Sequence, residues 1–471
     1  MEIKKEAYDP SSRLNVCLLN DSFPPVIDGV ANAVVNYAGI INSEFGDVTV
    51  VTPDVPGARD YYSFSVVRYP SLDTEKLAGY RAGFPFDPAT INLLKTKGFN
   101  VIHTHCPVAS TMLARVLRDE LDIPIIFTYH TKFDVDIANT VPTKPLQEAA
   151  KSLLAENISA CDEVWVVSEG AGENLRSLGY KGDYIVMPNG VDLPRGKAPE
   201  SAIRELCEKY AVPSDRPVFL FVGRIMWYKG LKLMLDSLLK LKETGYNYRM
   251  YFVGDGMDRA EVENYAESLG LNNECIFTGA VSDREVLKAW YSSADLLLFC
   301  STFDTNGLVI REAAACSLGS LLIKGSCAAE GITDGETGIL AEENADSVSK
   351  AILAFGSDKA AFKCLGEAAC NEIYISWEDS VANAVRRYSK VRELWASGEL
   401  QKRRNPLERL RKFAEDWDES FETVQKRQRE AIENAESKAL AALAQADRNR
   451  IESLERIKEQ IKRAAEQMLW R

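Results

Sequence analysis

Short apolar runs that alternate with amphipathic stretches, twice over, constrain this chain more than any other feature. NVCLLN (15–20), VTVVTP (48–53), VIHTH (101–105), IIFTYHT (125–131), EVWVVS (163–168) and YIVMPN (184–189) are bounded, strand-like runs. Between several of them lie stretches such as VANAVVNYAGIINSEF and VASTMLARVLRDEL, which are amphipathic on a helical period. Strands that read as nearly continuous hydrophobic runs, spaced by helices, predict βαβ units and a parallel sheet covered on both faces. The rhythm then restarts with PVFLFVG (217–223), YRMYFVG (248–254), CIFTG (275–279), DLLLFCS (295–301), SLLIKG (320–325) and GILAE (338–342). The joint falls in the polar segment VDLPRGKAPESAIREL, near residue 195. The expected fold is α/β: two doubly wound parallel-sheet domains facing a cleft. Ligands of such sheets bind outside the carboxyl ends of the strands, so the loops there are where chemistry is sought.

Beyond Trp377 the character changes. After Pro406 there is no proline, and Leu440, Leu443, Ile451, Leu454, Ile457, Ile461, Ala464 and Met468 recur at roughly helical spacing. This predicts a long C-terminal helical extension, with a stripe that breaks near Asp447 and so does not secure a coiled coil. Residues 401–471 carry 17 Lys+Arg against 14 Asp+Glu, whereas the first 400 residues hold 39 basic and 55 acidic groups. An acidic body lacks the basic footprint of a nucleic-acid binder. No apolar run reaches the roughly 18 residues that a spanning helix needs, and the N-terminus has no apolar core of a secretory signal. The ten cysteines are scattered without a CxxC pair, as expected of reduced core residues in the cytoplasm.

Three loops carry candidate chemistry. In LLNDSFPPVIDGVANAVVNY a strand ends, a proline-containing loop follows, and Gly29 stands directly before a helix, where an anion can approach backbone amides. The full G-x-G-x-x-G pattern is absent here, and VGDGMD (253–258) has only G-x-G, so a dinucleotide-dehydrogenase reading fails on its own motif. The chain's three histidines, His103, His105 and His130, all end strands of the first half. A metal trio would need converging carboxylate or cysteine ligands, which the spacing does not supply. His103 reads as a packing residue, and His130, at the mouth of its strand, as the candidate to meet a reacting sugar hydroxyl. In VFLFVGRIMWYKG, Arg224 and Lys229 follow a strand end, two cations suited to a phosphate-bearing ligand and able to neutralise a departing diphosphate. Finally STFDTNGLVIREAAACS sets Asp304 and Glu312 eight residues apart across a strand-to-helix turn. The plainer reading is that Asp304 caps the helix; the sharper one is that both acids hold a ligand.

GRIMWYKG, FVGDGMDR, the run CIFTGAVSDREVLKAWYSSADLLLFCSTFDTNGLVIREAAAC, DGETGIL and MPNGVDL together resemble the glycosyltransferases of family 4, which have the GT-B fold. The resemblance covers about residues 14 to 390. It implies an acceptor-binding domain over 1–195, a nucleotide-sugar-binding domain over 196–375, a helix at 376–399 that returns towards the first domain, and an amphipathic tail at 400–471. It also implies that the Gly29 loop meets the donor diphosphate from one side while Arg224 and Lys229 grip it from the other. Asp304 and Glu312 match the family's pair of acids, the first near the hexose hydroxyls and the second on the ribose. Amides around Gly307, Leu308 and Val309 would bind phosphate, Val281 would lie beside the base, and His130 would face the donor sugar. Such enzymes retain anomeric configuration without a metal or other cofactor, so His130, Asp304, Arg224 and Lys229 are the residues expected to act in catalysis.

Two departures stand out. Asp304 is one methylene shorter than the family's usual glutamate, and KGSCAAEG replaces the usual Gly-Gly with Ser326-Cys327. A catalytically inactive GT-B module, recruiting a partner or self-associating through 400–471, is one alternative that follows. For the acceptor, NDSFPPVIDGVANAV, HTHCPVAS and FTYHTKFDVDI look most like the bacterial diacylglycerol glucosyltransferases. The implied reaction moves glucose from UDP-glucose to a lipid hydroxyl at a membrane surface; a soluble or polyprenyl-linked glycan is the alternative acceptor. The basic segment QKRRNPLERLRKF (401–413) would suit a peripheral position on the inner face of the cell membrane.

Overall fold

The computed structural model describes residues 11–400 apart from 27, 75–80, 132, 134–136, 138–140, 142, 305–306 and 357–358. The helical tail expected beyond Leu400, with its basic segment 401–413, lies outside the described residues.

The first half contains β1 (Leu14–Leu19), β2 (Gly46–Pro53), β3 (Ser65–Tyr69), the small hairpin β4 (Ser71–Leu72) and β5 (Ala82–Gly83), then β6 (Val101–Thr104), β7 (Ile125–Tyr129), β8 (Glu163–Val166) and β9 (Ile185–Val186). Its helices are α1 (Gly29–Ile40), α2 (Pro88–Lys95), α3 (Ala109–Leu121), α4 (Lys144–Ser159) and α5 (Glu169–Ser177). The strands form a parallel sheet in the order β3-β2-β1-β6-β7-β8-β9. The second half contains β10 (Val218–Val222), β11 (Arg249–Val253), β12 (Cys275–Gly279), β13 (Leu296–Phe299), β14 (Gly319–Ile323) and β15 (Ile339–Ala341). They form a parallel sheet in the order β12-β11-β10-β13-β14-β15. Around it lie α6 (Glu200–Tyr210), α7 (Leu231–Glu243), α8 (Arg259–Ser268), α9 (Arg284–Ser293), α10 (Leu308–Ala315), α11 (Ala345–Phe355) and α12 (Lys359–Glu372).

Alternation along each central strand explains why both sheets are covered on both faces. Cys17 and Leu19 of β1 enter one apolar cluster, and Val16 and Leu18 enter another across the sheet. Phe219 and Phe221 of β10 divide from Val218, Leu220 and Val222 in the same way. Successive side chains on a strand point to opposite faces, so an all-apolar strand requires two apolar layers. The last helix, α13 (Trp377–Ala396), packs on the first half. Its Tyr388 hydroxyl lies 2.6 Å from His103 Nδ1, Arg387 pairs with Glu163, and the Trp395 indole donates to the Asp122 carbonyl. The ten cysteines are free thiols; six are buried, while Cys364 is exposed.

Candidate active site

Strand order reverses once in each sheet, between β1 and β6 in the first and between β10 and β13 in the second. Adjacent loops there depart towards opposite faces, which opens a crevice at the carboxyl edge. The loops concerned run over 20–28 and 105–108 in the first half, and over 223–230 and 300–307 in the second. Arg224, Lys229, Asp304 and Gly307 fall within them, and Gly29, Leu308 and Val309 begin the helices that follow. His130 follows β7, next to β6, Val281 follows β12, and Glu312 lies in the second turn of α10.

In the second half two of the predicted residues, Lys229 and Asp304, meet. Lys229 ends a single 3-10 turn, and its ammonium pairs with Asp304. The side chains are 13% and 23% exposed, so the pair is largely withdrawn from water. Asp304 does not cap α10: the N-cap is Gly307, with no side-chain hydrogen bond. Its Oδ2 is buried and has no partner among the described residues. Gly230 lets the two loops meet, since a Cβ there would lie 2.2 Å from the Cys300 carbonyl oxygen and its φ is +74°. Arg224 is exposed and makes no ion pair among the described residues. The first hydrogen bond of α10 is from the Ile310 amide to Gly307 O (2.9 Å), so the Leu308 and Val309 amides precede the helix's own ladder.

Glu312 is buried, and both of its oxygens are engaged. Oε2 accepts from the Tyr291 hydroxyl (2.8 Å) and Oε1 from Arg284 (3.0 Å). Burial raises its pKa, and Tyr291 and Arg284 act against that. Each carboxylate oxygen keeps a further acceptor site, so the group stays able to receive a pair of hydroxyls. Neither Arg284 nor Tyr291 stands out in the sequence, although both follow Val281 on the same loop-helix segment.

The first half offers neutral groups. Val30 and Ala31 donate their amides to Asp28 (2.8 and 2.7 Å), so the α1 terminus is already capped. A Cβ on Gly29 would meet nothing within 4 Å, so this glycine lines open space. His103 is fully engaged, Nδ1 to Tyr388 and Nε2 to Thr128, both at 2.6 Å, which removes it from any metal trio. His105 Nδ1 lies 2.9 Å from His130 Nε2, with the rings stacked at 5.1 Å, and Asn189 approaches His130 Nδ1 at 3.4 Å. Burial pushes His130 down to about 3 and holds His103 and His105 well below their ordinary value, so all three are neutral imidazoles. His105 Nε2 has no partner among the described residues. Asp21 is also buried; its Oδ1 accepts from the Ser110 amide (2.7 Å) and hydroxyl (2.5 Å) and from Tyr69 (3.2 Å), and burial raises its pKa. The period of two in HTH signals that His105 shares a face with His103, whereas the roles of Asp21 and Asn189 have no local signature.

The two carboxyl edges also touch. Glu330, after β14, accepts from the Glu169 and Gly170 amides at the start of α5 (2.6 and 2.5 Å). Beside this contact lies a cavity of about 760 Å³ lined by Glu173, Asn174, Thr302, Lys324, Ser326 and Glu343 among others. The departing segment Ser326-Cys327 therefore sits at the junction of the halves.

Residues 27–195 match the family model described as Glycosyltransferase Family 4, and residues 203–371 match that described as Glycosyl transferases group 1. The alpha-monoglucosyldiacylglycerol synthase of Streptococcus pneumoniae is 23% identical over 64% of this chain and 69% of its own. The protein of the same name from Acholeplasma laidlawii is 23% identical over 72% of this chain and 87% of its own. A D-inositol 3-phosphate glycosyltransferase of Xylanimonas cellulosilytica is 28% identical over 53% and 61%. Among solved structures, sucrose-phosphate synthase of Thermosynechococcus elongatus superposes with a TM-score of 0.63 at 22% identity, over 82% of this chain and all of that one. Anabaena Alr3699/HepE, solved with UDP and glucose, gives 0.60 at 16%, over 80% and 100%. At these identities the structural likeness carries the fold.

Proposed function

The chain belongs to glycosyltransferase family 4, and we propose that it moves glucose from UDP-glucose to the hydroxyl of a lipid such as diacylglycerol, with retention and without a metal. One observation carries the donor side: an exposed Arg224, which makes no ion pair among the described residues, the Lys229–Asp304 pair and the first amides of α10 all follow the two strands that flank the switch point of the second sheet. That corner suits a diphosphate, because cations and helix-terminal amides act together on anions. Glu312 would hold the ribose diol, Val281 the base, and Asp304 the hexose hydroxyls. His130, a neutral imidazole, would reach the same sugar from the first half, with Gly29 leaving room for the diphosphate. The bond between the anomeric carbon and the β-phosphate oxygen breaks as the acceptor oxygen bonds to that carbon from the same face. The acceptor's proton passes to the leaving phosphate, whose growing charge Arg224 and Lys229 neutralise.

The acceptor reading follows the names of the pneumococcal and Acholeplasma relatives. Among the described residues no helix is long and apolar enough to cross a membrane, and we assign a peripheral, cytoplasmic position. The test is nucleotide release from UDP-glucose, UDP-galactose and GDP-mannose, each with and without diacylglycerol vesicles. Release that needs both UDP-glucose and vesicles is the expected result. Release without vesicles would move the acceptor to a soluble or polyprenyl-linked glycan. Tight nucleotide binding with no release from any donor would leave an inactive binding module.

A further inference from the structure

Arg284 is half exposed at the start of α9, yet both arms of its guanidinium are committed. One nitrogen holds Glu312 Oε1 at 3.0 Å, and the other holds Asp192 Oδ2 at 2.8 Å. Asp192 belongs to the crossover between the halves, and its Oδ1 accepts from Asn36 of α1 at 3.2 Å. A continuous chain of polar contacts thus runs from Glu312, through Arg284 and Asp192, to the helix behind the Gly29 loop. The guanidinium is planar and presents its donors as a rigid fork, so it can hold two carboxylates in fixed relation where an ammonium cannot.

We propose that Arg284 is a positioning residue for nucleotide recognition: it fixes the Glu312 carboxylate and ties it to the crossover at Asp192. The inference rests on the reading that Glu312 receives the ribose, and it goes further by making ribose affinity depend on a residue of the interdomain connection. The sign of the effect is what the geometry decides. If Arg284 competed with the ribose for Glu312, removing it would tighten nucleotide binding. If it orients a carboxylate that retains spare acceptor sites, removing it weakens binding. Glu312 has Tyr291 on its other oxygen and Cys316 just past the end of its helix, and Asp192 opposes it from the crossover. Among the described residues Arg284 is thus the cation that lowers the Glu312 pKa against the effect of burial.

The experiment is calorimetric titration of the full chain with UDP, as unmodified protein and as R284Q, R284K, D192N, E312Q and R284Q/E312Q. R284Q is expected to weaken UDP about tenfold, the scale of one charge-assisted hydrogen bond. R284K should recover part of that loss, and D192N should weaken binding about threefold, since it loosens only the far arm. In the E312Q background R284Q should add nothing, because Arg284 acts through Glu312. Acidification supplies a readout that a merely structural role would not move: R284Q should lose UDP at a higher pH than the unmodified chain. Unchanged or tighter UDP binding by R284Q, or full additivity with E312Q, would overturn the inference while leaving the glycosyltransferase reading in place. Failure of the unmodified chain to bind any of UDP, GDP or their sugars would overturn both. Thermal melts of each variant guard against misfolding, and R284K keeps the test decisive should R284Q melt early.

Discussion

The two halves share one sheet plan but furnish their crevices with opposite chemistry. At the second sheet the crevice is lined by charges held in pairs, Lys229 with Asp304 and Arg284 with Glu312, with Arg224 left over. At the first sheet it is lined chiefly by the stacked, neutral His105 and His130, with one buried carboxyl, Asp21, already held by Ser110 and Tyr69. A charged ligand is served by the first arrangement, because paired charges can be re-partnered without stranding one in a low dielectric. A neutral, hydroxyl-bearing ligand is served by the second, because neutral imidazoles donate and accept hydrogen bonds without selecting for charge. The asymmetry supports the proposed placement of the diphosphate chiefly against the charged groups of the second half, and suits the first half to uncharged hydroxyls.

The sharpest way to break that comparison is to remove Arg224, which makes no ion pair among the described residues. Arg224→Ala should lower kcat about 100- to 1000-fold, the range for deleting one group that stabilises developing charge, with a much smaller change in donor KM. A change in KM alone would show that Arg224 binds the donor without serving the departing diphosphate. Acid titration probes the other half. The histidines are neutral when folded but take protons near 6.5 when unfolded, so the unfolded chain binds more protons as pH falls. Their contribution is complete above about 6.5 and is lost as pH drops from there towards the folded values, at up to about 1.4 kcal/mol per pH unit for each histidine. Asp21 and Glu312, raised by burial, take protons first in the folded state and oppose this loss. Denaturant midpoints between pH 7 and 5 would measure the net slope. His105→Gln should flatten it, and an unchanged slope would remove His105 from the account.

Packing supplies a third test. Gly230→Ala puts a methyl against the Cys300 carbonyl oxygen at a left-handed φ, at a cost of about 1–3 kcal/mol. Because that contact joins the loops bearing Lys229 and Asp304, donor affinity should fall together with the melting temperature. A stable G230A with normal donor affinity would mean that the loops can separate without consequence.

Legibility in the sequence divides along the same line as the chemistry. Apolar strands announce themselves, and charges at their ends stand out, so Arg224, Lys229, Asp304 and Glu312 emerge as candidates from residue order, while their proposed roles come from the family resemblance. The edge strand β3 is not, because SVVRY is short, and Ser65 is exposed while the three residues after it are only partly buried. Pairings that depend on topology are likewise hidden. Arg284 and Asp192 are 92 positions apart, and Glu330 and Gly170 are 160 apart; nothing local in either stretch encodes the partner. Asp304 as a helix cap is a reasonable local inference that the fold overrides, because Lys229 offers the carboxylate a full charge and Gly307 ends the turn without it.

The smallest expected effect lies at the junction of the halves, and it asks whether they act as one site. Glu330 places a carboxylate on the first two amides of α5, an arrangement worth about 0.5–1 kcal/mol at a helix N-terminus. Glu330→Gln should therefore raise donor and acceptor KM together by about two- to fivefold, since what weakens is the approach of the halves and not either subsite. Gly170 is the steric counterpart: a Cβ there would lie 2.2 Å from Cys327 Sγ. Gly170→Ala should push the edges apart and mimic Glu330→Gln, while adding Cys327→Ala should restore both KM values by making room for the methyl. Rescue by the double variant would identify Cys327 as a spacer set against Gly170. If G170A/C327A stays as impaired as G170A, the spacing of the halves is fixed elsewhere, with the polar chain through Asp192 and the packing of α13 on the first half as links to test next.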